Sequence, residues 1–200
     1  MKTLKFNDQE SWMAARRGKI TGTRLKDIIT KRGNGKKKGY YELIAERIAV
    51  EADSENPMER GLRLEEEAIA RFQVETGKEV DTSLIIWQRD DCESIAISPD
   101  GFIGETEAVE VKCLSSASHI EAWLTKAVPS EYVDQVMQYF CVNDKLETVY
   151  SVFFDPRIPA KDYFVIETKR ENVQETVESY LAYQKDTIAE INAIVTELTF

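Results

Sequence analysis

Two short segments carry residue types and spacing suited to phosphodiester cleavage: Ser98-Pro99-Asp100-Gly101 and Glu110-Val111-Lys112. Both read as strand ends, and on a strand residues i and i+2 project from one face. Glu110 and Lys112 therefore share a face, while Val111 points to the other. If the nine residues between Asp100 and Glu110 turn through Gly104, the two carboxylates lie across from each other at a distance that a hard cation can bridge. The Val111 carbonyl adds an oxygen ligand. Carboxylates of this kind hold Mg²⁺, which polarises a phosphoryl oxygen and lowers the pKa of bound water, and a lysine offsets charge developing in the transition state. A Glu-x-Lys pair on an edge strand is common on surfaces; its place at hairpin distance from Pro-Asp-Gly singles this one out.

A further acid comes from a helix expected over about 58–75, with Leu62, Ala68, Ile69 and Phe72 facing inward. Glu65, Glu66 and Glu67 fan out by about 100° each, so only one can face the sheet. Glu65 lies three and four residues before Ala68 and Ile69, on the inward stripe. Periodicity alone does not settle the choice.

The elements that must position these groups alternate in type. Helical patterns occupy 12–29, with Ile20-Thr21-Gly22-Thr23 as a turn and N-cap, and 40–50. Gly77 closes the third helix, and the pattern then turns to strands over 79–87, 94–98 and 108–112. Arg89-Asp90-Asp91 and Pro99-Asp100-Gly101 supply turn chemistry, so an antiparallel meander is expected. Two amphipathic helices, 116–126 and 130–142, are divided by Pro129. Strands follow at 148–155 and 163–168, then a C-terminal helix over 172–198. The sum is one α/β domain spanning 1–200, a small mixed β-sheet flanked by helices.

Composition excludes several classes. With 42% hydrophobic residues and 200 residues in all, the chain can bury a single core. No apolar run approaches the roughly 20 residues needed to cross a bilayer, and the N-terminus lacks a secretory h-region, so a cytoplasmic protein is expected. Three cysteines without CxxC spacing and one histidine, His119, exclude a disulfide framework and a zinc site. His119 reads as a surface or boundary residue, and Trp12, Trp87 and Trp123 as packing residues. The net charge of −10 argues against nucleic acid until its distribution is examined. Residues 1–40 hold 12 Lys/Arg against three acids, a net +9, leaving −19 for the remainder. Such asymmetry suits a polyanion-facing N-terminal region, with Lys36, Lys37 and Lys38 in its densest stretch.

Trp12, Arg16-Arg17-Gly18-Lys19-Ile20-Thr21-Gly22-Thr23, Arg60-Gly61 with Glu65 and Ala68, Ser98-Pro99-Asp100-Gly101, Glu110-Val111-Lys112, and Tyr132 with Gln135 stand in an order that resembles the phage lambda exonuclease family of viral-type recombinases. The resemblance covers about residues 12–142. It implies a PD-(D/E)xK, restriction-endonuclease-like core and Mg²⁺-dependent 5′-to-3′ digestion of linear duplex DNA, with Mn²⁺ as a substitute metal. It also implies a homotrimeric ring, a single-strand annealing partner, and a phage or prophage gene expressed in a bacterial host. On this resemblance Asp100, Glu110 and Val111 match the metal ligands, Lys112 the catalytic lysine, and Glu65 the helical acid five positions after the arginine. Gln135 matches a helical glutamine near the active site, with Tyr132 one turn before. Arg16 takes the place of the arginine that holds the 5′-phosphate and Thr23 that of the neighbouring hydroxyl; Arg17 is an extra cation, so which arginine reaches the phosphate stays open. Gln138 departs from the family's Gln-x-Gln, so it is expected to point elsewhere.

Two other functions compete. The same metal site would serve a structure-selective or restriction-like endonuclease, to which a 5′-phosphate pocket built on Arg16 and Thr23 is useless. A DNA-end binding module that has lost catalysis would not keep all of Glu65, Asp100, Glu110 and Lys112.

Overall fold

The computed structural model describes residues 7–21, 24, 26–28, 30, 35–50 and 57–199. Thr23 and Gly22 therefore lie outside the described residues. Among those described, helices α1 (Gln9–Arg16), α2 (Lys38–Ile48) and α3 (Pro57–Thr76) precede strands β1 (Trp87–Arg89), β2 (Cys92–Ile97), β3 (Gly101–Ile103) and β4 (Glu107–Lys112). Then come α4 (Ser116–Thr125), α5 (Ser130–Val142), β5 (Thr148–Phe154), β6 (Tyr163–Lys169) and α6 (Arg170–Thr199). No helix among them is long and apolar enough to cross a membrane.

The central sheet runs β3-β4-β5-β6, antiparallel except for the parallel β4–β5 pair. A parallel neighbour requires a crossover, and α4 with α5 provides it. Alternation along β4 feeds two cores. Val109 and Val111 pack with Leu64, Ala68 and Phe72 of α3, whereas Ala108 packs with Val136, Met137 and Phe140 of α5. Ala108 and Val109 are both fully buried, as a strand covered on both faces demands.

The β3–β4 hairpin depends on two glycines. Gly104 turns it at φ +58, a left-handed conformation that costs glycine little. A Cβ on Gly101 would stand 2.4 Å from Val80 Cγ1, so only glycine lets this strand approach the preceding segment. The ladder pairs Gly101 with Val109, which puts Asp100 opposite Glu110 one rung further on. The expected hairpin thus forms in the expected register.

The structure corrects three expectations. Residues 79–87 do not form one strand: only Asp81 makes an isolated bridge, to Phe102, and β1 starts at Trp87 to pair with β2 as a separate two-stranded sheet. Asp81 Oδ1 accepts the Ser83 N–H at 2.8 Å and the Ser83 hydroxyl at 2.5 Å, a local turn that interrupts the extended chain. On α3, Leu62 is exposed and Leu64 takes the inward place, four residues before Ala68 and eight before Phe72. His119 is fully buried, its Nε2 donating to the Lys161 carbonyl at 2.7 Å and its ring edge-on to Phe164. It lies three residues before Ala122 on the stripe of α4 that faces inward.

Candidate active site

The carboxylates come together where β4 leaves the sheet. Glu110 is 2% exposed, and its oxygens are heavily engaged. Oε1 accepts from Lys112 Nζ at 2.5 Å and from Gln135 Nε2 at 2.7 Å. Oε2 accepts from the Tyr139 hydroxyl. Asp100 Oδ2 accepts the Val111 N–H at 2.7 Å, which fixes the side chain of the turn onto the neighbouring strand. Lys112 Nζ also sits 4.8 Å from the Tyr132 ring centroid, a cation–π contact that holds the ammonium over the cleft.

Tyr132, Gln135 and Tyr139 are spaced i, i+3 and i+7, one face of α5. That face meets Lys112 and both oxygens of Glu110 in turn. Gln138 points elsewhere, its Nε2 3.3 Å from the Ala96 carbonyl of β2.

A cleft of about 260 Å³ opens here, lined by Gly61, Glu65, Val111, Lys112, Cys113, Leu114 and Tyr132. Glu65, rather than Glu66 or Glu67, is the acid of α3 that reaches it. Electrostatics ties the three acids together. Burial, then the Glu110 charge, raises the Glu65 carboxyl above the ordinary range, with Lys112 opposing. Asp100 is pushed up to about 7, first by burial and then by Glu110, against the Val111 hydrogen bond. Three acids facing one lysine leave an excess of negative charge that a cation would relieve. Among the described residues, no three His, Cys, Asp or Glu side chains converge as a ready-made metal cage. A cation would therefore rest on the Asp100 and Glu110 carboxylates and the Val111 carbonyl, with water completing the shell, a donor set suited to a hard ion such as Mg²⁺. Cys113 is no nucleophile at neutral pH, since burial pushes its thiol up to about 11.

The N-terminal arginines line a different hollow. About 350 Å³ in volume, it is bounded by Met13, Ala14, Arg16, Arg17, Thr21, Arg24 and Glu46. Gly18, at φ +69, anchors the turn: Glu46 Oε2 accepts its N–H at 2.5 Å, and Arg47 donates to its carbonyl at 2.8 and 3.0 Å. Glu46 also pairs with Arg24. Burial would raise the Glu46 carboxyl, but the bonds from Arg24 and Gly18 hold it below the usual carboxylate range. Arg16 lies over Trp12, 4.3 Å from the ring centroid. Lys36, Lys37 and Lys38 are exposed where α2 begins. Arg24 and Glu46 of the hollow, and Tyr139 behind Glu110, are residues that sequence reasoning passed over. Tyr139 carried one signal, its position four residues after Gln135 on the same helical face.

A larger hollow of about 700 Å³, between Trp87 and Asp144, lies away from these groups, and its Arg89 is spent on Asp144 and the Cys141 carbonyl.

A mixed sheet that delivers Asp, Glu-x-Lys and a helical Glu to one strand end defines a nuclease of the PD-(D/E)xK class. The YqaJ-like viral recombinase domain matches residues 11–146, and the chain belongs to that family. It is a deoxyribonuclease of the viral recombination type. Among solved structures, the alkaline exonuclease LHK-Exo from Laribacter hongkongensis is similar at 29% identity and a TM-score of 0.53, over 96% of this chain and 100% of that one. A second structure of LHK-Exo, in complex with dAMP, matches with the same identity, TM-score and coverage. No curated protein matches the chain.

Proposed function

We propose that this enzyme digests linear double-stranded DNA from its 5′ ends in a Mg²⁺-dependent reaction, leaving 3′ single-stranded tails for recombination by strand annealing. The observation that carries the reading is the convergence of Asp100, Glu110 and Lys112 at one strand end, beside the Glu65 cleft. Its likeness to an alkaline exonuclease crystallised with dAMP, a deoxynucleoside monophosphate, favours release of mononucleotides.

Asp100, Glu110 and the Val111 carbonyl would hold Mg²⁺, or Mn²⁺ in its place. Bound there, the metal supplies Lewis acidity to the scissile phosphate and acidifies a water. Lys112, held by Glu110 and Tyr132, presents its ammonium to the attacking oxygen or to charge gathering on the phosphate. Glu65 lines the same cleft as a proton acceptor for the water, and its raised proton affinity suits that task. Gln135 keeps Glu110 from rotating. Water adds to phosphorus as the bond to the leaving 3′ oxygen breaks, so each cut leaves a new 5′-phosphate on the shortened strand. The hollow containing Arg16, Arg17 and Arg24 would receive that dianion, with Thr23 assigned as its hydroxyl partner by family resemblance alone.

Lys36, Lys37 and Lys38 add cations at the positive end of the α2 dipole, an arrangement unfavourable by itself and relieved by a phosphate backbone. The +9 N-terminal region against a −19 remainder fits three copies closed as a homotrimer around the duplex, their acidic surfaces turned outward. A single-strand annealing protein would take the 3′ tail, inside a bacterial host of the phage or prophage that encodes the enzyme.

The test is incubation with Mg²⁺ and linear duplexes bearing 5′-phosphate or 5′-hydroxyl ends, beside covalently closed circles. Mononucleotide release from linear DNA with the circle intact is the expected result. Cutting of the circle would favour the endonuclease alternative.

A further inference from the structure

Among the described residues, Tyr139 is the largest fully buried side chain, yet its polar end has a partner. Its hydroxyl donates to Glu110 Oε2. Its ring is fixed from behind by Trp87, at a centroid distance of 6.3 Å and nearly perpendicular, and Trp87 packs in turn on Phe102 of the β3–β4 hairpin.

We infer that Tyr139 is a positioning residue for the divalent cation: it aims the Glu110 carboxylate, although it does not itself reach the cation or DNA. An ionised carboxylate offers about four lone-pair positions. Lys112 and Gln135 fill both positions on Oε1, and Tyr139 fills one on Oε2. One position therefore remains, on Oε2, so the hydrogen bonds select a single oxygen direction for a cation. Without the phenol hydroxyl, Oε2 loses its only donor among the described residues, and the carboxylate can swing about Gln135 and Lys112. Outer groups that orient a metal ligand typically change metal affinity by about 10–100-fold when removed.

This inference rests on the metal-dependent reading of the site, and the experiment separates the two. Tyr139→Phe keeps the ring against Trp87 and removes only the hydroxyl. Calorimetry with Mn²⁺ in the absence of DNA is the first readout, and the Mg²⁺ concentration giving half-maximal digestion is the second. The expected result is a rise of about 10-fold in both, with the maximal rate recovering at saturating Mg²⁺. Tyr139→Met, which also lacks a donor, guards against misfolding of the first variant, and circular dichroism checks that each keeps its helices. Unchanged Mn²⁺ affinity in a folded variant, with the wild type binding normally, would overturn the role of Tyr139 alone. A lower maximal rate with unchanged metal affinity would also overturn it. If the wild type binds no Mn²⁺, the metal-dependent reading itself fails.

Discussion

Asp100 and Glu110 face each other one rung beyond the β3–β4 ladder, and the Glu110 charge raises the cost of ionising both Asp100 and Glu65. The hairpin register that makes a cation site also makes a repulsive one when no cation is present. Function and stability therefore pull in opposite directions at this strand end.

A first prediction concerns that conflict. Asp100 has a folded-state pKa of about 7 against an unfolded value near 3.8, so its contribution to stability is fully present below 3.8 and is lost as pH rises towards 7. At pH 8 the metal-free wild type carries the whole penalty. Asp100→Asn should therefore melt higher than wild type at pH 8 without metal. A gain of roughly 1 kcal/mol corresponds to about 2–4 °C at this chain length. The advantage should vanish at pH 4 and shrink or reverse when Mg²⁺ is added. Thermal melts at both pH values decide it, and equal melting temperatures at pH 8 would contradict the electrostatic account.

Chemistry should respond in the opposite sense. Asp100→Ala and Glu110→Ala each remove a carboxylate donor and should reduce digestion of linear DNA by at least about 100-fold, with DNA binding retained or tightened. Lys112→Ala should lose activity, because its charge serves the reacting phosphate. Ca²⁺ should support binding but little cleavage, given its looser coordination. Gel shifts in Ca²⁺ beside digestion in Mg²⁺ separate the two effects; wild-type turnover by Asp100→Ala would remove it from the metal site.

Much of this site was legible before the fold was known, because it depends on local geometry. The i, i+2 spacing of Glu110 and Lys112, the glycine at 104 and the proline at 129 act over a few residues, and the hairpin and the start of α5 follow from them. What stayed hidden depends on tertiary approach. Tyr139 reads as one more aromatic of an amphipathic helix, and only the packing of α5 on β4 brings its hydroxyl to Glu110. Leu62 and Leu64 differ by about 200° around α3, a distinction the mixed pattern near Glu65 blurred. His119 seemed destined for the boundary because it is polar; burial was possible because the Lys161 carbonyl accepts one ring N–H. The strand expected over 79–87 failed on a side-chain turn at Asp81.

The buried histidine gives a prediction of its own. Burial lowers its pKa below 6.5, the Nδ1 atom having no hydrogen-bond partner among the described residues. The neutral form contributes stability that is present above the unfolded value and is lost as pH falls through the lower folded value. His119→Gln retains an N–H donor without the titration. Its melting temperature relative to wild type should therefore rise by about 2–4 °C between pH 7.5 and pH 5. A constant offset across that range would show that His119 does not titrate with unfolding.

The N-terminal lysines should show themselves through salt. Each phosphate neutralised contributes a slope of about −0.9 in log affinity against log salt concentration on duplex DNA. Replacing Lys36, Lys37 and Lys38 together with glutamine should flatten the slope by about 2 to 3 and leave the maximal cleavage rate intact, since none of them lines the Glu65 cleft. An unchanged slope would place the DNA track elsewhere on the N-terminal region.

The 5′ end supplies the final prediction. A terminal phosphate monoester carries nearly two negative charges against one on an internal diester, so a cationic hollow discriminates between them. Arg16, Arg17 and Arg24 all line the hollow, and the family resemblance points to Arg16 for the dianion, with Arg17 as the next candidate. Arg16 also lies on Trp12, which keeps its guanidinium plane from rotating and suits it to paired hydrogen bonds on one phosphate face. Losing one charge-assisted contact to a phosphate costs about 1.5–3 kcal/mol, or roughly 10- to 150-fold. Arg16→Ala should therefore reduce the preference for 5′-phosphorylated over 5′-hydroxyl ends by that factor, with the metal affinity unaltered. The measurement is the initial rate on both ends for wild type, Arg16→Ala and Arg17→Ala. If only Arg17→Ala loses the preference, the phosphate belongs to Arg17; if the wild type has no preference, the hollow does not read the 5′ end.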